Sequence, residues 1–278
     1  MSSYRFCRTD DVGLLVDALN RCWLPYFPDE PPVTPATFKR SIRDLQVWCS
    51  SCMVAFSGAD PIGVLIGAKR PSGTLIQKIA VHPDHRRQGH GGHLLTSLSS
   101  KLSILGPPRM IAEVPETSAA ARGLFGATGY VQEALLTDYV LQVDGTDTEG
   151  IPGQFVIPVT VDDLIANGLL GEADSHVCWQ RSVETLTARK DDIAGLAVAS
   201  DERIEACVLY VKPGEIVALQ SFVEDDGVRL RQLLSRLGAG TFRFPKVHPA
   251  EMPAALLERL GFRPAGGHVL YEARARPA

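Results

Sequence analysis

The residues best suited to chemistry are two arginines and three glycines that stand close together in the first half of the chain: Arg86, Arg87, Gly89, Gly91 and Gly92. A strand-like apolar run ends at Val81 before them, and leucines recur at helical spacing after them, from Leu94 to Leu105. A strand, a glycine-rich turn and a helix bind phosphates, because the helix N-terminus offers unpaired N–H groups and a partial positive charge. A glycine turn without a ligand is the plain alternative.

The surrounding sequence predicts the elements that position this turn. Alternating and periodic apolar residues favour strands at 4–7, 53–56, 62–66, 74–81, 110–114 and 135–141, and helices after Asp11, at 35–45 and after Ser118. The polar segment 143–150 is typical of a linker. Together these patterns predict an α/β fold with a mixed sheet.

The second half repeats the first weakly. Seven positions recur at an offset of 132, among them Leu98 with Leu230 and Tyr139 with Tyr271. Gly73 and Gly214 lie 141 apart, so the second copy is shorter by nine residues, which we assign to the glycine turn. In its place stand three consecutive acids, Glu224 to Asp226. We therefore expect a duplication whose second copy lacks a phosphate loop.

Composition narrows the class of function. The chain has 278 residues, enough for two domains, and 45% hydrophobic with 22% charged residues suits a globular protein. A net charge of −4 argues against nucleic acid as a partner, because binding a phosphate backbone needs a concentrated basic face. The N-terminus shows no apolar signal run, and no apolar stretch could cross a bilayer. A cytoplasmic protein without a membrane partner is expected.

The segment 81–95 resembles the acetyl-CoA signature of the GNAT superfamily of acyl-CoA N-acyltransferases. That signature is a strand ending Val-x-Pro, then Arg/Gln-x-x-Gly-x-Gly/Ala opening a leucine-rich helix, and Arg86, Gly89 and Gly91 fill its key places. The segment 121–130 is similar to the family's later helix, which ends in Gly-Phe or Gly-Tyr. The resemblance covers residues 4–142 and implies two GNAT-like domains in tandem, at 1–142 and 156–278, joined by a linker at 143–155.

The resemblance also implies particular site residues. Backbone N–H groups of Gln88 through Gly92, including His90, would hold the pyrophosphate of acetyl-CoA, with Arg86 and Arg87 adding charge. Pantetheine would lie along exposed backbone at Ile79 and Val81, where that strand splays from the strand at 110–114. The acceptor implied is a primary amine of a small molecule, which attacks the thioester directly. The protein would be a monomer or a homodimer.

Two departures from the family concern catalysis. The family's usual acid, a Tyr after Leu in the late helix, is Phe125 here, and its usual Asn at the start of that helix is Ser118. Glu113 matches a strand carboxylate of many members and is a candidate base, with a structural role as the alternative. Tyr139 and Tyr130 are the nearest phenols in sequence and so candidate acids, although packing roles are favoured for both.

The histidines and the cysteine pair also allow a metal interpretation, and the fold allows other functions. The histidines at 82, 85, 90 and 93 could suggest a metal, but no carboxylate or cysteine cluster completes a site, so none is predicted. The pair Cys49 and Cys52 lacks the second ligand pair that zinc needs. Besides an enzyme acting on a small amine, an acyl-CoA sensor and an acetyltransferase acting on a protein N-terminus or lysine are alternatives.

Overall fold

A computed structural model describes residues 2–144, 155–171 and 176–277. The first half contains these helices and strands in chain order: β1 (Ser2–Phe6), α1 (Val12–Cys22), α2 (Pro35–Leu45), β2 (Met53–Ser57), β3 (Asp60–Arg70), β4 (Gly73–Val81), α3 (His90–Leu105), β5 (Arg109–Pro115), α4 (Ala119–Ala127) and β6 (Val131–Val143). Each element expected from the sequence is present within a few residues. The expected linker falls on 143–155, of which 145–154 lie outside the described residues.

The second half has the same order of strands: β7 (Phe155–Pro158), α5 (Val161–Ala166), α6 (Val183–Ala188), β8 (Ala194–Ala199), β9 (Ile204–Val211), β10 (Glu215–Ser221), α7 (Val228–Ser235), β11 (Gly240–Val247), α8 (Ala254–Arg259) and β12 (Arg263–Arg274). The mixed α/β class and the tandem arrangement expected from the sequence are both confirmed. The shortening expected in the second copy falls largely on the helix, because α7 has 8 residues and α3 has 16.

Two compact units divide the chain, and they are not the two sequence halves. Unit 1 is Met1–Ala134 with Val269–Ala278, and unit 2 is Leu135–His268. Strands of unit 1 follow the order β1-β2-β3-β4-β5-β12, and those of unit 2 the order β7-β8-β9-β10-β11-β6. Each sheet is therefore completed by the last strand of the other half. The expected limits at 142 and 156 do not coincide with these units, because sequence repeats cannot show which sheet a terminal strand joins.

Packing within each unit shows the exchange at the level of side chains. In unit 1 the ring of Tyr271 stacks on Phe125, with centroids 5.8 Å apart. In unit 2 the ring of Tyr139 meets Phe262 edge-on at 6.4 Å. Both tyrosines are buried in the cores of these units. Removing either strand would therefore open the core of the unit that it completes.

Local sequence explains where helices α2 and α3 begin. Helix α2 begins at a capping box, in which Thr34 accepts from the Thr37 N–H and Thr37 accepts from the Thr34 N–H, and Pro35 takes the first helical position. Helix α3 follows Gly89, whose φ of 86° places it in the left-handed region that glycine tolerates. The buried stripe of α3, led by Leu94 and Leu98, fixes this helix on the sheet.

Candidate functional site

The site lies where two parallel strands of unit 1 separate. Strands β4 and β5 pair only at Thr74 with Met110 and at Leu75 with Ile111. Beyond these pairs a cavity of about 550 Å³ is lined by the C-terminal half of β4, by β5, by the glycine turn and by α4. That volume lies within the ~300–1,000 Å³ typical of small-molecule sites. The splay of β4 from β5 expected from the sequence is confirmed.

The glycine turn presents backbone donors to this cavity. Among the described residues, the N–H groups from Arg87 to Gly92 donate to no carbonyl oxygen, and the first N–H in the helix that does is that of His93, to Gly89 O at 3.0 Å. Arg87 and Gly89 have positive φ values of 61° and 86°. Turns with left-handed residues gather successive N–H groups into a concave anion site, and the α3 dipole adds to the attraction.

Most residues expected at the cofactor site line the cavity. Eight of them do so: Ile79, Val81, Arg86, Arg87, Gly89, His90, Gly91 and Gly92. Gln88 does not. Gly91 packs closely against α4, since a Cβ built on it would lie 3.1 Å from a methyl carbon of Leu124. A side chain at position 91 would therefore contact α4 and take up space in the cavity.

Arg86 is held in place by an aromatic residue that the sequence did not single out. Its guanidinium lies 4.2 Å from the ring centroid of Tyr26, and its Nε donates to the Tyr26 hydroxyl. That hydroxyl in turn donates to the carbonyl oxygen of Val81 at 2.6 Å. One lone pair of this carbonyl is thus already used by the protein. These contacts hold the Arg86 guanidinium in place at the cavity before any ligand binds.

His90 is the most buried histidine of this turn, with 5% of its surface exposed. Its Nδ1 lies 2.7 Å from the Tyr4 hydroxyl, and its Nε2 is buried without a hydrogen-bond partner among the described residues. Burial lowers the pKa of His90, and the charges of His85 and His93 lower it further. A neutral imidazole therefore anchors the start of α3 to β1.

The candidate base lies at the cavity, whereas the candidate acids Tyr139 and Tyr130 lie in the cores of the two units. Glu113, on β5, lines the cavity, as does Phe125 of α4, which is 2% exposed. Tyr139 does not line it: this residue packs in the core of unit 2, which corrects the expectation that it could act as the acid. Tyr130 is buried in the core of unit 1, and burial raises its pKa, which makes it a poor proton donor. The exchange of the terminal strands, hidden in the sequence, explains the misplacement of Tyr139.

Sequence reasoning also missed one wall of the cavity. Trp23, Tyr26 and Phe27, which follow α1, line it together with Lys78 of β4. Trp23 and Phe27 stack with ring centroids 4.3 Å apart. The only sequence signal for this wall is the concentration of three aromatics within residues 23–27. A lysine inside a strand gave no signal at all.

Cys49 and Cys52 are buried beside β2, and their environment bears on whether they could react or bind a metal. Cys49 and Cys52 are buried free thiols at the start of β2, and burial raises the pKa of each. Thiols whose pKa is raised in this way are poor nucleophiles and poor metal ligands. No group of three or more His, Cys, Asp or Glu residues in the described part of the chain could hold a metal ion. Helices of the described residues are all too short or too polar to span a membrane.

Comparison with known proteins agrees with this geometry. Residues 14–130 match the family model of the Acetyltransferase (GNAT) family. No curated protein shows significant sequence similarity to the chain. The family match indicates acyl-CoA-dependent acyl transfer, and the family generally uses acetyl-CoA.

Solved structures share the fold over the whole chain. A tandem GNAT protein from the clavulanic acid biosynthesis pathway has a TM-score of 0.65 at 17% identity, with 100% of each chain covered. A GCN5-related N-acetyltransferase from Sphaerobacter thermophilus has a TM-score of 0.70 at 14% identity, covering 100% of this chain and 96% of the other. At such identities the likeness concerns the fold alone. The chain therefore carries an acetyltransferase domain of the GNAT family at residues 14–130, within a tandem GNAT fold.

Proposed function

We propose that unit 1 transfers an acetyl or other short acyl group from CoA to a primary amine of a small molecule. The observation that carries this proposal is the row of backbone N–H groups from Arg87 to Gly92, which have no carbonyl acceptor among the described residues. They lie at the edge of the cavity that opens where β4 and β5 separate. The N–H groups suit a diphosphate, and the apolar cleft suits a narrow, flexible chain that ends in a thioester.

The residues present fit the diphosphate and the pantetheine chain of acetyl-CoA. The turn and the ordered Arg86 would hold the diphosphate, while the backbone of β4 at Ile79 would hold pantetheine. Gly91 belongs to this fit, because it lines the cavity and a Cβ at this position would force the Leu124 side chain to shift. When bound, acetyl-CoA supplies an acyl thioester, whose carbonyl carbon accepts an amine and whose sulfur leaves as a thiolate.

Glu113 is the residue that we assign to proton removal. An acceptor amine that forms its C–N bond to the acyl carbon, as the C–S bond breaks, must lose a proton, and a carboxylate at the cavity wall can accept it directly or through a water. The CoA thiolate has a pKa close to that of a cysteine, about 8.5, so solvent can protonate it at modest cost. Phe125, which cannot donate a proton, is therefore compatible with turnover.

The test is Glu113→Gln, assayed by thiol release with a panel of amines. We expect kcat to fall roughly 100-fold, as for loss of a general base, while calorimetry finds the affinity for acetyl-CoA unchanged. Glu116→Gln, in the loop after β5 and outside the residues that line the cavity, is the matched control. Parental turnover in Glu113→Gln would remove the base assignment. Tight acetyl-CoA binding with no acetylated amine would favour the sensor alternative.

A further inference from the structure

Lys78 is a cation inside a largely apolar cavity wall. Its Nζ lies 3.2 Å from Oε2 of Glu30 and 4.0 Å from the ring centroid of Trp23. The side chain is 22% exposed, against 43% for Glu30. Burial lowers the pKa of the Lys78 ammonium, and Glu30 offsets part of that effect. An ammonium group that has lost much of its water gains most from an anionic partner in the same cavity.

The anion already present does not fully satisfy this ammonium. The same Oε2 of Glu30 also accepts the Trp23 Nε1 hydrogen at 3.0 Å, so one oxygen serves two donors. An ammonium has three hydrogens, and the contacts recorded for Nζ among the described residues are Glu30 and the Trp23 ring. A further hydrogen of Lys78 can therefore bond to a molecule that enters the cavity.

Lys78 and Glu113 lie on the same face of the sheet. Met110, Ala112 and Val114 of β5 are buried in the core beneath α3. Side chains alternate along a strand, so Glu113 must point to the opposite face. Lys78 contacts Trp23 and Glu30, which follow α1, and so it faces away from the α3 core as well. A ligand on this face meets a carboxylate on one strand and an ammonium on the other.

We propose that the acceptor is an amino acid-like molecule, whose carboxylate binds the Lys78 ammonium beside Trp23 while its amine faces Glu113. This inference rests on the proposed function, of which it specifies the acceptor class. The stacked rings of Trp23 and Phe27 supply an apolar surface for the body of the acceptor.

The charges present favour a carboxylate over a phosphate. Lys78 is a single point charge, whereas sites for phosphate usually present a bidentate arginine or several donors. Glu30 next to it would repel a dianion more strongly than a monoanion. Arg86, which contacts Tyr26 at the turn, is already assigned to the diphosphate of the acyl donor. One ammonium in an apolar wall matches one carboxylate.

The experiment compares phenylalanine and leucine with their carboxamides as acceptors. The ratio of kcat/KM for acid over amide is measured in the parent, in Lys78→Met and in Lys39→Met, which removes an exposed cation of α2 as the control. Dividing ratios between proteins cancels the different basicity of the two amines. We expect the ratio to fall about tenfold in Lys78→Met and to stay unchanged in Lys39→Met.

A second variant tests the alternative that Lys78 has a structural role, in which its ion pair with Glu30 joins β4 to the loop after α1. This ion pair is called the clamp below. Glu30→Gln removes the competing anion, so the acid-to-amide ratio should hold or rise if Lys78 binds the substrate. An equal fall of the ratio in Glu30→Gln and Lys78→Met would overturn the proposal in favour of the clamp. An equal loss with acids and amides in Lys78→Met would also overturn it, because Lys78 would then serve the acyl donor.

A binding measurement covers a protein that turns over none of these amines. Calorimetry with CoA present would compare N-acetylphenylalanine with its amide in the parent and in Lys78→Met. A preference for the acid that is lost in Lys78→Met supports the carboxylate site, even though acyl transfer to amines would then be wrong. No preference for the acid in the parent overturns the carboxylate site whatever the state of the proposed function.

Discussion

Two turns at equivalent places of the duplicated fold have opposite chemistry. In unit 1, residues 82–89 join β4 to α3 and leave N–H groups from Arg87 to Gly92 without carbonyl partners among the described residues. In unit 2, residues 222–227 join β10 to α7, and this turn contains Asp225. Its carboxylate accepts from the N–H groups of Gly227 at 3.0 Å and Arg229 at 2.9 Å. The second turn carries its own anion.

The charge balance around Asp225 makes this replacement stable. The Arg229 guanidinium binds Asp225 at 2.9 Å and Glu205 at 2.7 Å. Partial burial pushes the pKa of Asp225 up, but the hydrogen bonds from Arg229 and Gly227 outweigh it and leave the pKa below its ordinary value. A diphosphate would have to displace an ionised carboxylate here. The N-terminus of α7 is thus complemented by a carboxylate of the chain itself.

The strands next to the two turns also differ, because β5 lines a cavity and β11 is covered by other protein groups. Like β4 and β5, β10 and β11 pair over a very short stretch, at Glu215 with Arg243. In unit 2, however, buried Arg181 donates to the Lys246 carbonyl of β11 at 3.2 Å and binds Glu251 at 2.6 Å. The β11 edge is thus covered by protein groups, whereas the β5 edge lines a cavity. Both features predict one cofactor site per chain.

The largest expected effect comes from placing an anion in the first turn. Gly91→Glu adds a side chain that presses on Leu124 and a negative charge beside the diphosphate. We expect affinity for acetyl-CoA to fall at least about 100-fold, or roughly 2.7 kcal/mol. Gly13→Glu, at an exposed site with nothing within 4 Å of the new Cβ, is the control. Calorimetry measures both, and parental affinity in folded Gly91→Glu would contradict the site.

The strand exchange predicts a crossed pattern of destabilisation. Tyr271→Leu should loosen unit 1 and Tyr139→Leu unit 2, each by about 2 kcal/mol for a truncated buried ring. Hydrogen exchange should therefore quicken in α3 for Tyr271→Leu and in α7 for Tyr139→Leu. The opposite pattern, in which each tyrosine affects the unit of its own sequence half, would show that the strands are not exchanged.

Removal of the internal anion should affect stability without creating a site. Asp225→Ala removes the acceptor of two backbone N–H groups at the start of α7, and we expect the free energy of unfolding to fall by about 1 kcal/mol. Because the folded-state pKa of Asp225 is lowered, its contribution is present above its ordinary pKa near 3.9 and is lost as pH falls below that value. Denaturant titrations of parent and variant should therefore converge in acid. A constant difference down to pH 2 would be inconsistent with this role.

The smallest effect concerns the pH dependence of the first turn. Because burial lowers the folded-state pKa of His90, stability due to its neutral form is present above the ordinary pKa near 6.5. That stability is lost as pH falls from 6.5 to the lowered value. His90→Leu should flatten the slope of stability against pH in this window. An unchanged slope would mean that another group titrates there.

The sequence was informative where structure is local. The turn from Arg86 to Gly92, the hairpin of β2 and β3 and the helix opening at Pro35 all depend on neighbouring residues, and each lies where the pattern predicts it. The duplication was also visible, because core leucines of both halves keep the same spacing. The acids at 224–226 indicated a negative charge in the second turn, and there Asp225 accepts from the N–H groups of Gly227 and Arg229.

Long-range contacts could not be predicted in the same way. Tyr139 and Tyr271 occupy equivalent places in two similar strands, so nothing local decides which sheet each strand completes. The bond from Tyr26 to Val81 and the pairing of Lys78 with Glu30 join residues far apart in sequence. The assignment of the nine missing residues to the glycine turn was wrong for most of them, because the shortening falls largely on the helix.

The most direct test of the account is the stoichiometry of acetyl-CoA binding to the intact chain. We predict one acetyl-CoA per chain by calorimetry or native mass spectrometry. Of the two turns, the first leaves its N–H groups without carbonyl partners among the described residues, whereas the second holds the Asp225 carboxylate. The same titration of Asp225→Ala should again give one. Two acetyl-CoA molecules bound per parental chain, or one that persists in Gly91→Glu, would contradict the assignment of the site to unit 1.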